Sequence, residues 1–407
     1  MAATDRAARR RELRARRARR PLHSLSCLAA GLGALAAREA VAQSTLDARF
    51  LFYKESNGRN QVLNPLIFFK PDLGPGNGEL DVQLGYDSLS GASPTGGYPS
   101  ADVTTSASGS TNTNESFPQA AYSDARKSGS LAYRHKFGAH LPSIDVSYSK
   151  ENDYEARSIG LSDSWTMAGG RGTLHFGASI SRDIVSPVTN SEHLSKDTNG
   201  FALGWTWILG ERDLLDVSAS LMQQSGYLDD PYKIVPIGTI NRNTNVPERR
   251  PDSRQRFAFL VKYGHYYLWD GALKASYRYY RDDWSVQAHT LDVTYDQKVD
   301  SSWIVSPRVR IYTQTGASFY GSLFASPETF MSADSRLSSF WSVLGGLTVT
   351  HQLNQAVSLN LGGTYQSQLG RDRVTPATSS PGGARAAQVS SADMNIATVT
   401  VGMGWTF

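Results

Sequence analysis

The chain has 407 residues, 40% of them hydrophobic and 19% charged, with a formal charge of +4 and one cysteine. Ten of its 41 basic and three of its 37 acidic residues fall in the first 42 positions, which leaves 31 basic against 34 acidic residues and a charge of −3 for the rest. That balance excludes a nucleic-acid-binding body, which needs a basic face. Cys27 lies inside the first 42 residues, so disulfides, thiolate metal centres and a cysteine nucleophile are excluded beyond them.

Residues 1–42 read as a secretory signal peptide. A basic stretch runs to Arg20, an apolar run LSCLAAGLGALAA covers 25–37, and Ala40, Val41 and Ala42 form a small-residue cleavage site. Cleavage is expected after Ala42. The stretch RRELRARRARR alone also fits a phosphate-binding arm, but the apolar segment that follows at once favours export. The long basic start leaves an initiator downstream of Met1 open. Arg19 and Arg20 sit in a poor twin-arginine context, and Cys27 is a weak lipoprotein site.

Beyond Ala42 there is no run of about eighteen apolar residues, so a bilayer would be crossed only by a closed barrel of strands. The segments alternate with period two, as half-exposed strands do. After a first strand at 45–53 and a poorly alternating QVLNPLIFF at 61–69 come ELDVQLGY, SIDVSYS, TLHFGASI, GFALGWTWIL, DVSASL, RFAFLVKY, GALKASYRY, TLDVTY and VSLNLGGTY. Short polar links at 138–143, 168–171, 209–213, 268–271, 298–302 and 352–356 alternate with long ones at 88–126, 183–197, 226–253, 315–335 and 369–391. Tight hairpins near 152–155 and 282–284 complete the pattern. The expectation is an all-β fold, a transmembrane antiparallel up-and-down barrel over 43–407 with about sixteen strands, both ends periplasmic and a long external loop at 88–126. Pro65 and Pro307 should interrupt their strands.

One face of each segment is apolar, and Trp165, Trp205, Trp207, Trp269, Trp303, Trp341 and Trp405 sit at segment ends, where interfacial girdles belong. The other face is polar, as a water-filled lumen requires. Asp163 is a misfit, since it shares parity with Ile159, Leu161 and Trp165; a bulge or a position near the membrane boundary would explain it. By parity the lumen receives Arg49, Arg134, Lys136, Lys262, Lys274, Arg278, Arg308 and Arg310 against Asp47, Asp81, Asp145, Asp216 and Asp292, a mild bias toward anions. A three-residue turn at 282–284 would set Lys274 opposite Asp292 as a lumenal pair.

The terminal strand SSADMNIATVTVGMGWTF places Trp405 and Phe407 on its apolar face. It resembles the C-terminal insertion signal of Gram-negative outer-membrane proteins. That resemblance implies export past periplasmic chaperones, the barrel-assembly machinery as a partner, and residence in outer-membrane lipid. Two further stretches, 87–96 (DSLSGASPTG) and 277–284 (YRYYRDDW), together with the terminal aromatic, resemble a family of uncharacterised Gram-negative outer-membrane β-barrel proteins across most of 44–407. The family implies a signal peptide and a barrel and supplies no catalytic residues. The resemblance also implies that such members are often encoded near thioredoxin-like and flavin-transferring proteins, which points toward an envelope partner with redox chemistry.

Ser90, Gly91, Ala92, Ser93 and Pro94 carry turn chemistry, and read either as a plain turn leaving a strand or as a loop folded back to narrow the lumen. The distal stretch SADVTTSASGSTNTNES is low-complexity. A surface hydrolase would need a Ser, a His and an acid together, but His135, His140, His175, His193, His265, His289 and His351 lie in no nucleophile motif, and His175 faces the lumen. No His-x-x-x-His, acidic calcium loop or Gly-Lys-Ser/Thr loop occurs, so no metal or nucleotide cofactor is expected. Asp229 and Asp230 suit weak cation contact at most. A porin-like channel for small polar solutes is the leading expectation. The alternative is a structural or receptor barrel holding a partner protein.

Overall fold

The structure, a computed structural model, describes residues 43–74, 76–94, 119–187, 192–239, 242–374 and 388–407. The expected signal peptide at 1–42 and the tip of the 88–126 loop, residues 95–118, lie outside the described residues. The strands in chain order are β1 (Thr45–Glu55), β2 (Gln61–Lys70), β3 (Glu79–Pro94), β4 (Gln119–Arg134), β5 (Ser143–Lys150), β6 (Tyr154–Met167), β7 (Gly172–Val185), β8 (Leu194–Ile208) and β9 (Asp213–Gly226). They continue as β10 (Ile234–Thr239), β11 (Arg242–Pro247), β12 (Ser253–Tyr267), β13 (Gly271–Asp282), β14 (Gln287–Lys298), β15 (Trp303–Gln314), β16 (Phe340–Gln352), β17 (Val357–Gly370) and β18 (Met394–Thr406). The only helical pieces among the described residues are two 3-10 turns, Ala168–Gly170 and Ser335–Leu337.

Sixteen strands close into one antiparallel barrel, while β10 and β11 form a separate hairpin inside the β9 to β12 connection. Ring closure is made by β1 against β18, from Thr45 opposite Thr406 to Glu55 opposite Ile396. Closure matters because every backbone N–H and C=O facing hydrocarbon must find a partner within the protein, and an open edge would leave a row of them bare. Both chain ends of the barrel therefore lie on one side. Short turns at 135–142, 168–171, 209–212, 268–270, 299–302 and 353–356 share that side, and the long loops share the other.

Side chains sort by parity into two surfaces. Leu161, Phe201, Leu221, Leu361 and Val401 stand outward and more than half exposed, as a lipid-facing wall demands. Trp165, Trp205, Trp207, Trp303 and Trp405 lie at the ends of their strands on the side of the termini, with Trp269 in a turn there, and histidines interleave with this aromatic belt. Trp303 stacks on His351 at 4.0 Å, and His140 on Trp165 at 5.4 Å. The Asp163 misfit is resolved without a bulge, since β6 and β7 pair continuously through Asp163 opposite Phe176. Its carboxylate lies at this rim, bonded to His140 Nδ1 at 2.6 Å and to the Leu141 N–H at 3.0 Å.

Both prolines interrupt one ladder without ending their strands. Pairing of β2 with β3 skips from Leu63 to Leu66, around Pro65, and pairing of β14 with β15 lapses at Pro307. Gly226 takes φ 104 where β9 leaves the barrel, and a Cβ there would lie 2.3 Å from the Ser195 carbonyl oxygen, so only glycine permits this exit.

Three expectations need correction. Residues 90–94 form no turn: Ser90 pairs with Ser123 and Pro94 with Gln119, so the SGASP stretch prolongs the β3 to β4 hairpin beyond the barrel and does not fold back. Ladder hydrogen bonding outweighed its turn chemistry. The β13 to β14 turn keeps three residues but lies one position later, at 283–285, with the Asp282 N–H bonded to the Val286 carbonyl; this slides the register by two residues and sets Lys274 opposite Thr294 and Ser276 opposite Asp292. Lys136 is not on the wall, because β4 ends at Arg134 and Lys136 is exposed in the following turn.

Leu361→Arg, at the mid-height of the outer face, should destabilise the reconstituted barrel by about 2–4 kcal/mol. Asn360→Arg, one residue away on the lumenal face, should cost no more than the roughly 1 kcal/mol of its hydrogen bond from Thr350. Reversible denaturant unfolding in lipid vesicles measures both; equal effects would refute the assignment of faces.

Candidate functional site

The long-loop end of the barrel is capped. The connection 227–252 carries the β10 and β11 hairpin, and Val235, fully buried, packs against Phe324 and Met331 from the connection 315–339. Backbone bonds join the two segments, from Gly238 N to the Phe324 carbonyl at 2.7 Å and in both directions between Arg249 and Met331. A second cluster sets Trp284 and Val286, of the β13 to β14 turn, against Ala317, Phe319 and Leu337. Trp284 meets Phe319 edge-on at 5.1 Å, with the Arg254 guanidinium 4.1 Å from its ring centre and ion-paired to Asp282. The connection 371–393 joins through Arg371 N on the Ser339 carbonyl, and Arg59 reaches across from the β1 to β2 turn to the Ser391 carbonyl at 2.9 Å. On the opposite flank the Tyr232 hydroxyl donates to Asp153.

Much of this cap is held by buried charge. Asp334 is almost fully buried, accepts the Arg336 N–H at the start of the Ser335–Leu337 turn, and pairs with Arg336 at 2.5 Å and Arg250 at 2.8 Å. Arg336 also reaches Asp230, while Arg250 and the Ser332 hydroxyl hold Glu248. Burial by itself would raise the Asp334 carboxyl, but Arg336, Lys233 and Arg250 outweigh it and hold the group well below the ordinary carboxylate range. Burial lifts Glu248 and Asp229 instead and lowers Lys233, and for Glu248 the Arg250 contact is too weak a counterweight.

Beneath the cap lies a cavity of about 800 Å³ between loop segments and the inner barrel wall. Arg256, Arg278, Tyr280 and Tyr312 line it from the wall, and Asp229, Tyr232 and Arg336 from the loops. Arg256 and Arg278 have no carboxylate within 4.0 Å among the described residues. The Arg256 Nε is buried with no acceptor, and Arg278 rests on the Tyr280 ring at 5.2 Å. At the rim, Asp124, Glu151 and Asp153 bring carboxylate oxygens within 4.8 Å of one another, the one group among the described residues with the spacing to hold a cation.

Lower in the lumen most of the remaining expected residues are found in pairs. Arg49 bonds Asp47 at 2.7 Å, and Arg134 meets Asp81 and Glu79. Lys262 approaches Asp216 at 3.8 Å. Lys274 pairs with Asp296 at 2.5 Å and not with Asp292, which is held by Arg308 and Arg310. The basic bias read from parity is thus largely neutralised on the wall and survives at the cavity, through Arg278 and the unforeseen Arg256. A hydrogen-bonded row also escaped the sequence: Ser164 to His175 at 2.9 Å, His175 to Thr206 at 3.0 Å, and Thr206 to Asp216 at 2.7 Å. It spans four neighbouring strands and has the polarity of a serine activated through histidine. The Ser164 N–H, however, is spent on the Leu141 carbonyl, which leaves it unable to stabilise an oxyanion. The SGASP side chains of 91–94 lie outside the described residues.

A closed sixteen-strand barrel with an apolar exterior and a polar lumen defines the class: the chain has the fold of an outer-membrane barrel. It belongs to the family described as "Protein of unknown function (DUF3570)", whose model matches residues 24–198 and 189–390. No curated protein matches the sequence. Among solved structures it is similar to a bacterial polysaccharide outer membrane secretin, at 8% identity and a TM-score of 0.49 over 91% of this chain and 100% of that one. It is also similar to the siderophore receptor PirA from Pseudomonas aeruginosa, at 9% identity and 0.43 over 90% of this chain and 63% of that one. The third is Pseudomonas aeruginosa OccK2 (OpdF) in complex with glucuronate, at 9% and 0.43 over 90% and 98%.

Asp334→Asn should take the shared carboxylate from the largely buried Arg250 and the exposed Arg336, leaving them Glu248 and Asp230, and loosen the cap by about 1.5 kcal/mol, which is roughly tenfold faster amide exchange across 317–338. In the parent protein, Asp334 has its folded value depressed, so its contribution is complete above the ordinary value of 3.8 and fades as pH falls below it. Glu248 is raised above 4.5, so its ionisation works against the cap and protonation relieves it as pH falls toward that value. Exchange corrected for intrinsic rates should therefore hold or slow down to about pH 4.5 and accelerate below 3.8. A steady loss of protection from pH 7 downward would contradict this assignment.

Proposed function

We propose that this protein is an outer-membrane barrel that admits small polar solutes through a loop-gated lumen, with the cavity under the cap as the first place where a solute rests. The apolar outer face with its aromatic belt supports residence in the outer membrane, with the long loops on the external side. The polar inner wall supports passage of hydrophilic solutes. The observation that carries the reading is the cavity itself, which opens between cap and wall and offers polar groups and tyrosine rings on both sides. The closely packed cap favours a receptor barrel as the second reading, in which the loop surface holds a partner protein. A redox partner in the envelope belongs to that second reading.

Planar-bilayer recording of the purified full chain separates them. A gated channel should show discrete conductance steps, and Asp334→Asn should raise the open probability severalfold while leaving the step size determined by the wall. A silent bilayer for both proteins would overturn the channel reading in favour of the receptor.

A further inference from the structure

The outer face carries a charged patch that the lumen and cap do not use. On the long-loop side of β4 to β7, Lys127 stands directly opposite Lys150, and Arg157 directly opposite Arg182. All four share the parity of the lipid-facing residues and are exposed, with Lys150, Arg157 and Arg182 showing more than half of their side-chain surface. Like charges facing each other across a ladder repel, and two such pairs side by side are a standing cost to the fold. Local carboxylates offset only part of it. Glu155 bonds Lys150 and Arg157, Asp197 lies 3.4 Å from Arg182, and Lys127 has no carboxylate partner among the described residues.

The level of the patch is fixed by what lies next to it. Moving along each strand on the same face, Lys150 is followed by Tyr148, Arg157 by Ile159 and Arg182 by Ile180, all exposed large apolar side chains. The cations therefore sit where hydrocarbon gives way to headgroups. The patch is also local. At the same level across β12 to β17, Phe257 stands opposite Arg281, Tyr279 opposite His289, and Trp341 opposite Leu369, with no cation facing another. At the other rim the outward carboxylates Asp163 and Asp213 are paired with His140 and His265. Arg157 faces Tyr148, two residues from Lys150, so the midpoints of the two cation pairs are two strand spacings apart across the sheet and two residues apart along it, about 12 Å in all.

We propose that Lys127, Lys150, Arg157 and Arg182 form a docking site for the headgroup of a lipid bearing two phosphates, one phosphate to each cation pair. The proposal rests on the reading that the long-loop side faces the outer leaflet, and needs nothing of the channel. Two negatively charged groups held at that spacing would cancel both repulsions at once, and guanidinium and ammonium groups suit phosphate oxygens. Being at the interface, such contacts are screened less than in open water, and clusters of Lys and Arg at headgroup level attract anionic lipid.

The test is native mass spectrometry of the full chain, released from detergent after incubation with a bisphosphorylated glucosamine-disaccharide lipid. One lipid should stay bound, and the doubly substituted K150Q/R182Q protein should retain it at least tenfold less well. K127Q alone should lose about threefold, and since Lys127 holds no partner in the wall it serves if the double variant does not fold. R281Q, on the far side, should behave as the parent. Unchanged retention by K150Q/R182Q and K127Q would overturn the proposal, and so would equal retention of phosphatidylglycerol, or displacement of the lipid by an equal concentration of inorganic phosphate. Lipid retention is read independently of conductance, so failure of either experiment leaves the other standing.

Discussion

Hydrogen bonding between β1 and β18 is the contact on which the rest of the molecule depends. With that seam closed, the described strands of the barrel have a neighbour on each side and no row of peptide groups faces hydrocarbon unpaired. Closure by an antiparallel pair of the first and last strands also forces the ends onto one side, and so forces the connections into two classes. Turns beside the ends can be short, since they only reverse the chain. Connections on the other side are free to grow, and there the described parts of 227–252 and 371–393, together with 315–339, form a second structure. The ladder tolerates Pro65 and Pro307 because each removes a bond on one side only, while the neighbouring pairs hold the strand in line.

What was legible in the sequence was whatever follows from period two. Alternation reveals a strand and its two faces without any knowledge of its neighbours, so the barrel, the sixteen strands, the lumenal position of Arg49 or Arg308 and the two classes of connection could all be read before any contact was known. Register could not. The slide of Lys274 from Asp292 to Asp296 came from the three-residue turn lying at 283–285, one position later than 282–284, and such a shift preserves parity and leaves no trace in the alternation on either side. The Ser164, His175, Thr206 and Asp216 row was hidden for the same reason, being an alignment of four strands whose order of heights only the ladders fix. The SGASP stretch misled in the opposite way, as its composition is that of a turn while its place is in a hairpin that outgrows the membrane.

The cap was illegible for a different reason. Val235, Phe324 and Met331 come from two loops separated by four strands, β12 to β15, and neither loop has a period that marks its apolar residues as a core. Nor does any pattern foretell that Asp230, Glu248, Arg250, Asp334 and Arg336 would converge, since each is an ordinary loop charge until the loops meet. Long-range pairing of this kind depends on shape, and one sequence without its fold carries only local signals.

The wall and the cap are stabilised by different physics, and the difference bears on gating. Wall strands are held by continuous ladders that cannot be opened one at a time without exposing peptide groups to lipid. The cap hangs on two small apolar clusters and a buried set of ion pairs. Such pairs return little net stability, because desolvation consumes most of their attraction, yet they are exacting about geometry. A lid built this way is well defined when shut and cheap to open, since water resolvates its charges as soon as the loops part. A lid of the same size closed over a large apolar core would have to expose that core to water at every opening. The choice of salt links over hydrocarbon at the mouth, above a wall whose own charges are mostly paired off, leaves Arg256 and Arg278 as the least satisfied groups in the cavity, and under the proposed channel reading they are the first contacts for an entering solute.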